Sequence, residues 1–153
     1  MGMKSAKIPY IASLEHLTTE QLRQTLEGEG APLAVACNNW SADYPYTPAV
    51  TAYLAYTDSH LALLFSVEES HVKAVALEDN GRVWEDSCVE FFVGNPAGEG
   101  YYNFELNAIG TLLAAYRTSR ECATHFSAEQ LAQVARRTAF DRAPIDICEQ
   151  RSW

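Results

Sequence analysis

Five side chains between positions 84 and 107 carry most of the chemistry this sequence can offer: Trp84, Glu90, Asn103, Glu105 and Asn107. Glu90 sits in the run Val83-Trp84-Glu85-Asp86-Ser87-Cys88-Val89-Glu90-Phe91-Phe92-Val93, whose second half is β-branched and aromatic. That composition predicts a buried strand over Trp84 to Val93. Strand alternation puts Val89, Phe91 and Val93 on one face, and Cys88, Glu90 and Phe92 on the other. A carboxylate in so apolar a strand needs donors from the protein, a metal or a ligand, because burying it alone is costly. The next strand, Tyr101 to Ala108, places Asn103, Glu105 and Asn107 on one face and Phe104, Leu106 and Ala108 on the other.

An aromatic ring beside fixed polar groups is what a saccharide requires: a flat face for the sugar C–H surface, and acceptors and amides for its hydroxyls. Trp84 with Glu90, Asn103, Glu105 and Asn107 meets that description without reactive chemistry. The competing assignment packs Trp84 in the core and leaves the Asn/Glu stripe as the wet face of a sheet. Glu90 and Glu105 fall on neighbouring strands and so form a candidate carboxylate pair. Retaining glycosidases hold two such groups about 5 Å apart. The same acids serve equally to bind a cation, to accept sugar hydroxyls, or to pair with Arg82 or Arg117. Glu85 and Asp86 offer oxygen ligands to calcium, against the plainer assignment of a solvated acidic turn.

Around this centre the chain reads as strands separated by turns. Ile8-Pro9-Tyr10-Ile11-Ala12 is extended, with proline restricting it to an edge. Thr18-Thr19-Glu20-Gln21 is a capping-box pattern opening a helix to about Leu26, with Gly28 and Gly30 as stops. Leu33 to Cys37 predicts a strand. The segment from Asn38 to Pro48 is a loop bearing Trp40, Tyr44 and Tyr46, either a binding rim or, for Trp40, a plug on the core. Ala49 to Tyr56 and Leu61 to Glu68, joined by Thr57-Asp58-Ser59-His60, make the clearest hairpin. Val72 to Leu77 is a further strand or a link, Asn80-Gly81 a turn, and Gly94 to Gly100 the loop before Tyr101. Gly110 turns the chain into Thr111 to Tyr116. Ser127-Ala128-Glu129-Gln130 caps a second short helix with Leu131, Val134 and Ala135 on one face, and Ile145 to Cys148 predicts a last strand. The sum is a mostly β protein: an antiparallel sandwich of jelly-roll type with short helical insertions.

At 153 residues the chain has the length of one domain, 1–153, with an ordinary apolar content of 48%. The net charge of −9 argues against nucleic acid and anionic membrane surfaces as partners. No apolar run reaches the roughly 20 residues of a bilayer span. Met1 to Leu17 lacks a signal-peptide core, which places the protein in the cytoplasm unless a leader has been removed. Cys37, Cys88, Cys122 and Cys148 show no metal-ligand spacing and read as free thiols, with two disulfide bridges as the alternative. His16, His60, His71 and His125 are scattered and read as mostly solvent-facing. There is no nucleophile elbow, Walker loop, dinucleotide fingerprint or zinc-protease motif. Ending on Trp153, where a strand is starting, predicts that further sequence normally follows.

The motif Trp84-Glu85-Asp86-Ser87-Cys88-Val89-Glu90-Phe91-Phe92-Val93, a glycine-rich loop, and Tyr101-Tyr102-Asn103-Phe104-Glu105-Leu106-Asn107 resembles the family 9 carbohydrate-binding modules, and more closely the stand-alone family 9-like bacterial proteins. The resemblance is sharp over Val83–Gly110 and loose from Trp40 to Tyr116. It implies a β-sandwich that binds saccharide without catalysis, at the reducing end of an oligo- or polysaccharide such as xylan. It implies Trp84 as one wall of an aromatic clamp and Glu90 as a hydroxyl ligand. Asn107 matches the family's asparagine, whereas Glu105 stands where the family has a basic residue. The second tryptophan wall has no obvious match beyond Trp153 or Trp40. Association with glycoside hydrolases and a structural calcium are further family traits. The haem-binding domains of certain extracellular dehydrogenases resemble the same sandwich, but Met1 and Met3 are the only methionines here, so the usual axial ligands are missing. Two other functions compete: a glycoside-active enzyme using Glu90 and Glu105, and a fold relative acting as a structural or interaction domain.

Overall fold

The computed structural model describes residues 5–94 and 98–153. Two antiparallel four-stranded sheets dominate, consistent with the sandwich class the sequence predicts. One holds β1 (Ala31–Ala34), β2 (Ala49–Tyr56), β3 (Leu61–Ala74) and β8 (Ile145–Ser152) in the order β1-β2-β3-β8. The other holds β4 (Cys88–Gly94), β5 (Tyr101–Asn107), β6 (Leu112–Arg117) and β7 (Ala123–His125) in the order β4-β5-β6-β7. The chain divides into two compact units, Met1–Glu69 with Ser152, and Ser70–Arg151 with Trp153.

In the first unit, α1 (Thr19–Glu29) starts at a reciprocal capping box. Gln21 donates its backbone N–H to Thr18 Oγ1 at 3.3 Å, and Thr18 donates its own to Gln21 Oε1 at 3.0 Å. The helix runs through Gly28, where a side chain would have open space, and ends at Gly30, where a Cβ would lie 2.5 Å from the Leu26 carbonyl oxygen. Gly30 alone is the stop. The β2–β3 hairpin closes at Tyr56 opposite Leu61 as predicted. β3 continues to Ala74, so the expected separate strand at Val72 is the end of β3. β1 occupies Ala31–Ala34 rather than Leu33 to Cys37, because pairing with Thr51–Leu54 sets its register. Leu14, Leu26 and Ala55 form this unit's buried cluster. Trp40 is 71% exposed, which rules out its role as a plug. Its loop is held by Asn38, whose amide donates to the Tyr44 carbonyl at 2.8 Å and accepts from the Trp40 N–H at 3.0 Å.

In the second unit, β4 and β5 pair from Cys88–Asn107 to Gly94–Tyr101; the middle of the connecting loop, Asn95 to Ala97, lies outside the described residues. One face of β5 and β6 packs Phe104, Leu106, Leu112 and Ala114 against Phe126, Leu131 and Val134, burying Leu131 of α2 (Ala128–Ala132). The Ser127–Gln130 capping box forms as predicted. β7 was not visible in the sequence: three exposed residues at a sheet edge carry no alternation signal. β8 is twice the predicted length, and Trp153 beyond it packs with Phe140 and Ile145 on the cluster of Val72, Ala74, Ala108 and Ile109. Among the described residues no disulfide joins the four cysteines, and the four histidines are exposed.

Candidate functional site

The site is built on the turn that leads into β4. Asn80 adopts a left-handed conformation, φ 60°, which asparagine tolerates better than most residues. Its side chain donates to the Phe126 carbonyl at 3.0 Å and accepts from the Ala114 N–H at 3.2 Å. A single 3₁₀ turn, Val83–Glu85, follows. Val83 is fully buried and anchors this turn, while Trp84 beside it is 51% exposed. Trp84 is therefore neither a core residue nor part of the strand, which begins only at Cys88. The expected strand over Trp84 to Val93 is shortened because Asp86 ends the turn.

Asp86 Oδ2 accepts the backbone N–H groups of Val75 and Ala76, at 3.0 and 2.9 Å, and the Asn107 amide at 2.9 Å. Burial opposes its charge, but these donors, with Lys73 nearby, outweigh it and hold the carboxyl below its ordinary range. Oδ1 is buried without a partner. Asp86 is thus not a solvated turn residue, because its Oδ2 is spent on the fold. Glu85 is ion-paired with Arg82 at the surface. Among the described residues no group of three or more His, Cys, Asp or Glu side chains is placed to hold a metal.

Asn107 is 1% exposed and fully engaged. Besides Asp86, its amide donates to the Ala76 carbonyl at 3.0 Å, and its oxygen accepts from the Thr111 N–H at 2.8 Å. Two residues along β5, Glu105 is 7% exposed and stands directly opposite Glu90. The expectation that Glu90 is the buried carboxylate is reversed, since Glu90 lies exposed near the outer edge of the sheet and Glu105 takes the buried place. Asn103, also 1% exposed, donates to Glu105 Oε1 at 2.8 Å and accepts from Arg117 Nε at 3.0 Å. Glu105 Oε2 has no partner. Burial first, and then the charge of Glu90, raises the Glu105 pKa, with Arg117 and Asn103 opposing. The polar stripe of β5 is thus a buried network and not a wet sheet face.

Of the two arginines considered for the acids, Arg117 reaches Glu105 through Asn103, while Arg82 is occupied by Glu85. Phe92, on the Glu90 face of β4, is exposed, and its ring lies 5.7 Å from that of Tyr101. The structural roles of Asp86 and Thr111 were not foreseen, because both act through backbone groups distant in sequence. Two clefts of about 340 and 410 Å³ flank Arg136, and neither is lined by Trp84, Glu90 or Glu105.

Comparison with known proteins decides the family. The family model of carbohydrate-binding family 9 matches residues 20–153. The chain belongs to carbohydrate-binding family 9. It is also similar to the crystal structure, at 2.70 Å, of a candidate carbohydrate-binding protein from Bacteroides uniformis ATCC 8492. That similarity has a TM-score of 0.85 and 34% identity, covering 95% of this chain and 67% of that one. No curated protein matches the chain. Membership of family 9 makes carbohydrate binding the function class.

Proposed function

We propose that this family 9 protein binds an oligo- or polysaccharide without catalysis on the face formed by the Val83–Glu85 turn, β4 and β5. The single observation that carries this reading is Trp84: a large aromatic ring half-exposed on a turn fixed by buried Val83 and the Asp86–Asn107 bond. An exposed ring on a backbone turn held in place costs less to position when a sugar stacks on it. Glu90, the exposed acid, accepts sugar hydroxyls, and Glu105 lies behind it. Asn103 and Asn107 act as positioning residues, because their amides are already committed within the protein. The ligand is the reducing end of a xylo- or gluco-oligosaccharide, and the whole chain, 1–153, serves as one module that works beside glycoside hydrolases.

The test is titration calorimetry with xylo- and gluco-oligosaccharides, their chemically reduced counterparts, and calcium present or absent. Heat with the native sugars that disappears on reduction supports reducing-end binding. Silence across the panel from a folded protein overturns the saccharide reading and favours a structural or interaction role. A second reading has one observation in its favour: Glu90 and Glu105 are directly opposed, with the Glu105 pKa raised, as in an acid/base pair. Hydrolysis of an aryl glycoside that Glu90→Gln abolishes would establish it.

A further inference from the structure

The polar network around β5 has a direction. Arg117 donates to Asn103 Oδ1, which orients the amide so that Asn103 Nδ2 donates to Glu105 Oε1. That chain of donors satisfies one carboxylate oxygen and stops. Glu105 Oε2, on a side chain more than nine-tenths buried, accepts from nothing. A buried polar atom without a partner is costly and marks a place where a donor is missing. Across the ladder, Glu90 adds a second carboxylate on the exposed side of the same pair. The Arg117 charge acts on Glu105, but its Nε donates to Asn103 and its Nη1 to the Arg120 carbonyl, at 2.9 Å. Trp84 and the Phe92–Tyr101 pair supply aromatic faces on neighbouring elements of the same unit. Two acids, an unfilled acceptor and aromatic rings form an environment for a positively charged donor.

We propose that the saccharide taken by this site carries a protonated amine, whose ammonium group enters from the Glu90 side and donates to Glu90 and Glu105. The proposal rests on the saccharide reading above and specifies its ligand class: an amino sugar in preference to a neutral or N-acetylated one. A neutral sugar hydroxyl could satisfy Oε2 but leaves both carboxylate charges uncompensated. An ammonium supplies up to three donors and the opposite charge. N-acetylation removes that charge and adds bulk.

The test is calorimetry of the full chain with β-1,4-linked glucosamine oligomers, the N-acetylated oligomers, and gluco-oligomers of equal length, at a mildly acidic pH where the amine is protonated. The amine form is expected to bind about tenfold more tightly than the other two, the increment of one charge-assisted hydrogen bond. Glu105→Gln, close to isosteric, is expected to remove that preference, so that amine and neutral oligomers bind the variant alike, with circular dichroism confirming the fold. Equal binding of amine and neutral forms overturns this proposal and leaves the saccharide reading standing. No binding of any oligomer overturns both. A preference that survives Glu105→Gln, or that spermine reproduces, assigns the effect to the protein's overall negative charge and overturns the proposal.

Discussion

The amide of Asn107 meets the carboxylate of Asp86 at 2.9 Å, and this contact ties the end of β5 to the turn that presents Trp84. The same amide also holds the Ala76 carbonyl, so one side chain joins three segments: the residues after β3, the tryptophan turn and β5. Replacing Asn107 with alanine leaves the Thr111 N–H without its acceptor in a buried place, while the Ala76 carbonyl keeps the Thr111 hydroxyl. The cost is expected to be about 1–3 kcal/mol, the penalty of one orphaned buried group. Urea unfolding measures it, and saccharide affinity is expected to fall as well because the Trp84 turn loosens.

Trp84 and Val83 divide their work between function and fold. Trp84→Ala removes a half-exposed ring and is expected to change stability by less than about 1 kcal/mol while abolishing saccharide binding. Val83→Ala removes a fully buried side chain and is expected to cost roughly 2 kcal/mol. Thermal melts and titrations of the two variants separate these effects. Unfolding by Trp84→Ala would show that the ring is structural.

Glu105 is expected to lower stability at neutral pH. Its pKa is raised in the folded protein, so folding favours the protonated form. Stability therefore falls as pH rises from the ordinary carboxylate value of 4.5 through the folded value. Glu105→Gln removes that penalty. The variant should be more stable than the parent at neutral pH and should lose the advantage at acidic pH, read from urea midpoints across the range. Residues kept at a cost to stability are commonly kept for function.

Glu15 shows the opposite sign. Hydrogen bonds from Ser59, His60 and Thr57 hold its pKa down to about 2. Its contribution is fully present above 4.5, the ordinary value, and is lost as pH falls from there toward 2. Glu15→Gln is expected to flatten the acid side of the stability profile and to leave neutral-pH saccharide binding untouched.

Asp79 and Arg136 form the least exposed ion pair among the described residues, at 2.7 Å, with Arg142 and the Leu112 N–H also on the Asp79 carboxylate. Burial disfavours the charge, but these partners hold the Asp79 pKa below its ordinary value. Arg136→Ala leaves a mostly buried acid underpaired and is expected to cost about 2–3 kcal/mol. Arg136→Lys should recover much of it, because a single nitrogen, Nη1, makes the contacts to both Asp79 oxygens.

How much was legible in the sequence depended on how local the cause was. Both helix starts could be read because a capping box is written in four consecutive residues, Thr18–Gln21 and Ser127–Gln130. The β2–β3 hairpin and the β4–β5 pair were equally clear from alternation and the turns between them. Gly28 misled because composition cannot distinguish a glycine with open space from Gly30, whose Cβ position the Leu26 carbonyl fills. The register of β1 was set by β2, and β7 by β6, so neither could be read alone. In the candidate site, the sequence put Glu90 and Glu105 on neighbouring strands as a candidate pair, and the β4–β5 register sets them opposite one another. The sequence could not say which of the two is buried, since that depends on β5 lying inside the sheet and β4 at its edge.

The strand order of the first sheet has a consequence for the protein while it is being made. β8 pairs beside β3, yet the entire second sheet is synthesised between them. Until Ile145–Ser152 leaves the ribosome, that flank of β3 has no strand on it, and an open flank is a template for pairing with another nascent chain. The vulnerable interval lasts as long as translation takes to reach β8. Slow decoding over the second sheet would prolong it, and a chaperone that covers strand edges would matter most then.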